Sequence, residues 1–256
     1  MDLGLKNKSV LVSGSSTGIG YAIAKTFLQA GARVQISGRS EKKLKDALQT
    51  LSECYSHDNI DLFCGDLTQP EIINKAIYQS VSRFDGLDVV IANIGSGKSP
   101  SGWDVSASDW HSIIDANLIG SMVLATSAVA HLKGRENPSI TFISSIAGLE
   151  AIAAPIPYST AKAGLQQAAK NLARQLGPEG IRVNTVAPGN VLAPGGTWEA
   201  KMAENPDQVK KYIETEVPLA RFANPEEIAH AVVFLASARA RFISGALLCV
   251  DGAQTR

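Results

Sequence analysis

The chain has 256 residues, 45% of them hydrophobic, with 24 basic and 24 acidic side chains. That length can bury one substantial core, and zero net charge with dispersed Lys and Arg leaves no footprint for nucleic acid or an anionic membrane. No continuous apolar run reaches the roughly 20 residues that span a bilayer. Residues 1–10 lack a signal-peptide core. Cys54, Cys64 and Cys249 are odd in number, lack CxxC spacing and read as reduced packing residues, so the expected location is the cytoplasm.

Ser9–Ser13 (SVLVS) is a short apolar strand that runs into Gly14-Ser15-Ser16-Thr17-Gly18-Ile19-Gly20. YAIAKTFLQAGA follows, apolar at helical spacing and closed by Gly31. Strand, glycine-rich turn and helix in that order form the context of a dinucleotide site. Gly14 allows the tight turn, Gly18 lets phosphate approach the backbone, and Gly20 lets helix and sheet pack closely. A pyrophosphate would sit on the helix N-terminus, where unpaired N–H groups and the helix dipole favour an anion.

The strand cores are Val10–Val12, Val34–Ile36, Ile60–Phe63, Val89–Ala92, Ile140–Ile143, Val183–Val186 and Leu247–Val250. Helical stretches separate them, which predicts an α/β fold: one Rossmann-type domain over 1–256, a doubly wound parallel sheet with helices on both faces. Ser106–Asp109 reads as a capping box, and Asn224-Pro225-Glu226-Glu227 as a cap, first-turn proline and acidic start. Gly189 to Val217 is the one long interruption, rich in Pro and Gly and then amphipathic, a length usually functional or disordered.

Pro157–Gly164 reads PYSTAKAG, with Tyr158 four residues before Lys162 and Ser145 thirteen residues upstream of the tyrosine. On a helix such a pair shares one face. A phenol of pKa near 10 is a poor proton carrier at neutral pH, and a neighbouring cation lowers that value towards the working range. A different class of function is suggested by Gly95–Ser99 (GSGKS), which resembles the tail of a phosphate-binding P-loop. Ala92 stands where that pattern needs glycine, and Pro100 and Gly102 do not suit the helix it requires next. The four histidines (57, 111, 131, 230) show no metal-ligand spacing, so no metal is expected.

These motifs together resemble the short-chain dehydrogenase/reductase family in its short single-domain branch, across essentially the whole chain. The resemblance implies cofactor contacts at Gly14, Ser16, Thr17, Gly18, Ile19 and Gly20, at Asp66 and Leu67 beside the adenine, and at Asn93 and Gly95 after the fourth strand. It adds Pro188, Gly189 and Val191 beneath the nicotinamide. Asn117, Ser145, Tyr158 and Lys162 match the catalytic tetrad. In that role Tyr158 exchanges a proton with the carbonyl oxygen and Ser145 orients it, with Ser144 as the alternative. Lys162 tunes the phenol and holds the ribose, and Asn117 anchors a water leading to solvent. The reaction implied is hydride transfer between a nicotinamide and a carbonyl or secondary alcohol. A non-catalytic relative with the same fold is the remaining alternative, one against which the complete tetrad argues.

At the end of the second strand Gly38 replaces the carboxylate usual in NAD-using members, and Arg39 follows. A guanidinium can grip a 2′-phosphate, so NADP(H) is the expected coenzyme, with NAD(H) the alternative. Departures from the family pattern are Ala92, Ile94 and Ala193, the last where a threonine commonly bonds the nicotinamide amide; Thr197 is a substitute. The segment at about 190–217 corresponds to a substrate lid, in which Trp198, Met202 and Tyr212 are candidates to touch the substrate. The short Tyr158-to-Lys162 step differs from the enoyl-reductase branch and resembles 3-oxoacyl-thioester reductases and sugar or steroid alcohol dehydrogenases. A homotetramer, or a dimer, through Ser112–Leu132, Tyr158–Leu176 and the last strand is implied as well.

Overall fold

The computed structural model describes residues 2–97 and 99–256. Its strands are β1 (Ser9–Val12), β2 (Arg33–Gly38), β3 (Ile60–Cys64), β4 (Val89–Ala92), β5 (Ser139–Ile143), β6 (Arg182–Pro188) and β7 (Leu247–Val250). They form one sheet in the order β3-β2-β1-β4-β5-β6-β7, with every pairing parallel. The predicted cores lie inside these strands, and β4 and β7 match residue for residue. Alternation along β1 shows why the sheet needs cover on both sides. Val10 and Val12 join one apolar cluster, while Leu11 between them joins the other.

The first cluster is closed by α1 (Gly18–Gln29), α2 (Glu41–Ser52) and α9 (Pro225–Ala236), the second by α3 (Pro70–Phe84), α5 (Gly120–Leu132) and α6 (Ile156–Leu176). Arg182 fastens α9 to the sheet. Its buried guanidinium donates to the carbonyls of Leu235, Ala236 and Ser237, satisfying the groups a helix C-terminus leaves open.

Several features depart from the sequence reading. The stretch expected as one helix from Ser112 is α4 (Ala107–Ile114), a wider π turn at Asp115–Ile119, and then α5. Together they make a 26-residue rod, Ala107–Leu132, whose most apolar 18-residue stretch has mean hydropathy 1.6, long and apolar enough by composition to cross a membrane. Here its apolar face is committed elsewhere: Leu124, Ala125, Ala128 and Leu132 pack into the core. The Gly189–Val217 interruption contains two helices, α7 (Thr197–Glu204) and α8 (Pro206–Glu216), divided by the Asn205-Pro206 cap. Cys54 and Cys64 are exposed rather than packed, and Cys249 is half-buried; all three are free thiols.

At Ser106 only half of the expected box forms. The hydroxyl accepts from Asp109 N at 3.1 Å, but the Asp109 carboxylate accepts from that hydroxyl, at 2.7 Å. At Asn224 the backbone N–H does donate to Glu227 Oε2, at 2.9 Å.

Candidate active site

In the order β3-β2-β1-β4 the chain reverses direction across the sheet between β1 and β4, and loops leaving their C-terminal ends diverge. A cleft of about 790 Å³ opens there and runs from the end of β2 to helices α7 and α8. Its floor is the glycine turn. Gly14 has φ +60°, and a methyl group on it would come 2.9 Å from the Asn93 carbonyl oxygen. One on Gly20 would collide with the Gly14 carbonyl, so α1 can approach the turn only with hydrogen there. The cap residue Thr17 makes no side-chain hydrogen bond to the helix start, so the first N–H groups of α1 receive no cap from it. A cradle of this shape fits a pyrophosphate.

Two polar residues brace the turn. Ser13 Oγ donates to the Ile91 carbonyl at 3.0 Å and accepts from Asn93 N at 2.8 Å. The Asn93 amide donates to the carbonyls of Ser13 and Gly14, at 3.2 and 3.1 Å. Asn93 therefore holds the shape of the floor as well as lining it. At the outer end Asp66 Oδ1 accepts from Thr68 N and Oγ1, an Asx turn that carries Leu67 into the second core cluster. Arg39 and Lys43 both line this end and are exposed, and neither side chain has an ionic partner among the described residues. The sequence reading names Arg39 and not Lys43; the signal for Lys43 is its place in the first turn of α2, four residues after Arg39.

The reactive end is built by β5 and α6. Tyr158 and Lys162 stand one turn apart on α6, with the ammonium 5.7 Å from the phenol ring centre. Ser145 hydrogen-bonds the phenol. Ser144 is buried and turned towards the backbone: its hydroxyl donates to the Lys162 carbonyl at 3.1 Å and accepts from Gln166 at 3.0 Å. Of the two serines, Ser145 is the one whose side chain reaches the phenol. Burial pushes the Tyr158 phenol above its ordinary value, opposed by the Ser145 hydrogen bond. Lys162 is only 5% exposed, donates to the Ile143 carbonyl at 3.1 Å, and is pushed down to about 8 by burial. The sequence-based expectation was that the ammonium would depress the phenol; here the two influences on Tyr158 are burial, which raises it, and Ser145, which lowers it.

Asn117 lies within the π turn and is fully buried. Its amide donates to Ile113 O at 3.1 Å, and its oxygen accepts from Ser96 N at 3.0 Å. A methyl on Gly95 would come 2.5 Å from Asn117 Oδ1 and 3.4 Å from Lys162 Nζ, so these three residues converge. Gly18, with φ +61°, faces Ala193 across the mouth. Pro188, Gly189 and Val191 line the cleft, as do Thr197, Trp198 and Tyr212. Met202 does not: it sits about 100° round α7 from Lys201, which is on the lining face. The GSGKS segment leads to no immediate helix, since α4 begins at Ala107, and its Lys98 lies outside the described residues.

Residues 14–255 match the model of a family described as enoyl-(acyl carrier protein) reductase. A 3-oxoacyl-(acyl carrier protein) reductase of Chlamydia muridarum is 36% identical over 251 residues, covering 97% of each chain. The chain belongs to the short-chain dehydrogenase/reductase family. Other similar members include a 3alpha-hydroxysteroid dehydrogenase of Mediterraneibacter gnavus, 32% identical with 97% of each chain covered. L-sorbose reductase of Gluconobacter frateurii, solved with NADPH and L-sorbose, superposes with a TM-score of 0.91 at 29% identity, over 99% of this chain and 98% of that one. As a short-chain dehydrogenase/reductase, the protein is an NAD(P)-dependent oxidoreductase.

Proposed function

We propose that the protein reduces small carbonyl compounds with NADPH, and oxidises secondary alcohols in reverse, using Tyr158 as general acid and base. One observation carries this reading: Ser145, Tyr158 and Lys162 meet in a cleft whose far end offers two cations without an ionic partner among the described residues, Arg39 and Lys43. With no carboxylate at the end of β2, that end suits a 2′-phosphate. The glycine turn would hold the pyrophosphate, and Pro188–Val191 with Thr197 the nicotinamide side. When bound, the nicotinamide supplies or takes up the hydride.

Ser145 hydrogen-bonds the substrate carbonyl oxygen and fixes it beside the phenol. Tyr158 gives its proton to that oxygen as negative charge develops there. Its raised pKa keeps the phenol protonated at neutral pH, which suits reduction. Lys162 stabilises the phenolate left behind, and Asn117, within reach of the same pocket, supports the path by which the proton returns from solvent. The whole of 1–256 acts as one dinucleotide-binding and catalytic unit, with the lid at about 190–217.

The test is NADPH and NADH oxidation, followed at the nicotinamide absorbance, with an acetoacetyl thioester, L-sorbose and a 3-oxosteroid. Turnover of at least one probe with NADPH, abolished in Tyr158→Phe while NADPH still binds, is the expected result. Near-normal turnover in Tyr158→Phe would remove the mechanism. The reading also includes a twofold homo-oligomer, a tetramer, because β7 is an open sheet edge carrying exposed Leu247 and Leu248. Light scattering that showed only monomer at micromolar concentration would reject that assembly.

A further inference from the structure

The lid wall is tied to the cofactor floor by a residue outside both. Residues 251–256 fold back around Asp251, whose carboxylate accepts from Ala253 N, Thr255 N and Thr255 Oγ1, at 3.1, 2.8 and 2.7 Å. That turn drives Gln254 inward until it is only 7% exposed. There its oxygen accepts from the Asn190 amide at 2.8 Å, and its own amide donates to the Tyr212 hydroxyl at 3.1 Å. Asn190 directly follows the Pro188-Gly189 turn, and Tyr212 belongs to lid helix α8. Tyr212 in turn stacks on Trp198 of α7, ring centres 5.2 Å apart and planes 24° apart, and Trp198 packs against Phe222 at 5.3 Å. Arg256 N donates to Glu150, in the segment between β5 and α6. Asn190, Tyr212 and Trp198 all line the cleft, whereas Gln254 does not.

We infer that Gln254 is a positioning residue for substrate recognition: it fixes the Tyr212–Trp198 stack against the cofactor floor and so sets the width of the substrate end. The physical ground is that few other tethers hold these helices. α7 buries no residue and α8 buries only Val209 and Ile213, so packing alone fixes the lid loosely. A buried amide with both ends satisfied supplies the direction that apolar contacts lack. The role rests on the carbonyl-reductase reading of this cleft. It predicts an effect on carbonyl substrate and none on coenzyme, because among the described residues Gln254 hydrogen-bonds the floor through the Asn190 side chain alone.

The test compares Gln254→Met, which keeps length and volume but removes both hydrogen bonds, with Gln254→Glu, whose carboxylate can accept from Asn190 and from the Tyr212 hydroxyl. With the acetoacetyl thioester as probe, Gln254→Met is expected to raise its KM about tenfold. kcat should stay within about twofold and the NADPH KM should be unchanged. Gln254→Glu recovers most of the loss. Tyr212→Phe costs less than Gln254→Met, and the double variant costs no more than Gln254→Met alone, since the two side chains act as one chain.

Amide hydrogen exchange of residues 206–217, read without substrate, should quicken in Gln254→Met and return towards wild type in Gln254→Glu. An unchanged probe KM in Gln254→Met with an active wild type overturns the inference, as does unchanged exchange. A wild type inactive on every probe while exchange responds as described would instead remove the carbonyl-reductase reading and leave the tether standing.

Discussion

Lys162 should make the protein less stable than it would be without it. The side chain is buried, has no carboxylate partner among the described residues, and its pKa falls from 10.5 to about 8 through desolvation. A drop of roughly 2.5 pH units means that holding the charge at neutral pH costs the folded state about 3 kcal/mol. Lys162→Met keeps the apolar stem and deletes the charge. It also strips the Ile143 carbonyl of its donor, a loss of about 1 kcal/mol. The variant should therefore be about 2 kcal/mol more stable than wild type at pH 7, and catalytically dead.

The pH dependence has a definite sign. The unfolded chain holds this proton more tightly than the folded one, so the penalty is complete below about pH 8. It fades between there and about 10.5, and is absent above. Urea unfolding of both proteins without coenzyme, at pH 7 and pH 10 and one fixed protein concentration, measures it. The variant's advantage should shrink across that interval and reverse to a small wild-type advantage at its top. A Lys162→Met protein less stable at pH 7, or a difference that ignores pH, would refute the reasoning.

Arg39→Ala should weaken NADPH binding roughly ten- to a hundredfold and NADH little, and adding Gly38→Asp should reverse the preference; equal weakening of both in a coenzyme titration would make Arg39 a plain surface residue. The Gly38 exchange is sterically feasible, since its new Cβ would meet the Ser16 hydroxyl, which can rotate about χ1, at 3.2 Å. Because burial raises the Tyr158 phenol, carbonyl reduction should be flat through neutral pH and fall at alkaline pH, while alcohol oxidation rises over the same range; parallel profiles in the two directions would exclude a single shared acid and base.

The parallel sheet was legible because each strand is an apolar run closed by turn residues, and the site because its members come in short local patterns. Tyr158 and Lys162 share a helix face whatever else the chain does, and the glycine turn advertises the backbone approach it permits. What escaped notice depends on position in space. The π turn at Asp115–Ile119 adds one residue to a helical period inside an apolar run, which leaves no compositional mark. Ser144 and Ser145 are adjacent in sequence and differ only in which way β5 delivers them, one towards Gln166 and the other towards the phenol. Met202 carries the residue type of a substrate contact, but on the wrong arc of α7. Asn190 and Gln254 are 64 residues apart and meet only after β6 and β7 have paired.

The division of labour around the cleft follows from the same topology. Loops leaving adjacent parallel strands diverge at the β1–β4 reversal, and each must then be held by polar side chains, because loop backbone offers little apolar surface to pack. Ser13 and Asn93 hold the floor, Asn117 holds the segment after β4, and Gln254 holds the segment after β6 and the lid. The first three clamp groups close to the coenzyme cradle, where almost any change in geometry would be felt by every substrate. Of these four, it is Gln254 that reaches the helices which, on the proposed function, would meet the variable part of the substrate. Exchanges near that amide can therefore alter which carbonyl compound fits while leaving proton transfer and coenzyme binding intact, and exchanges at the other three cannot.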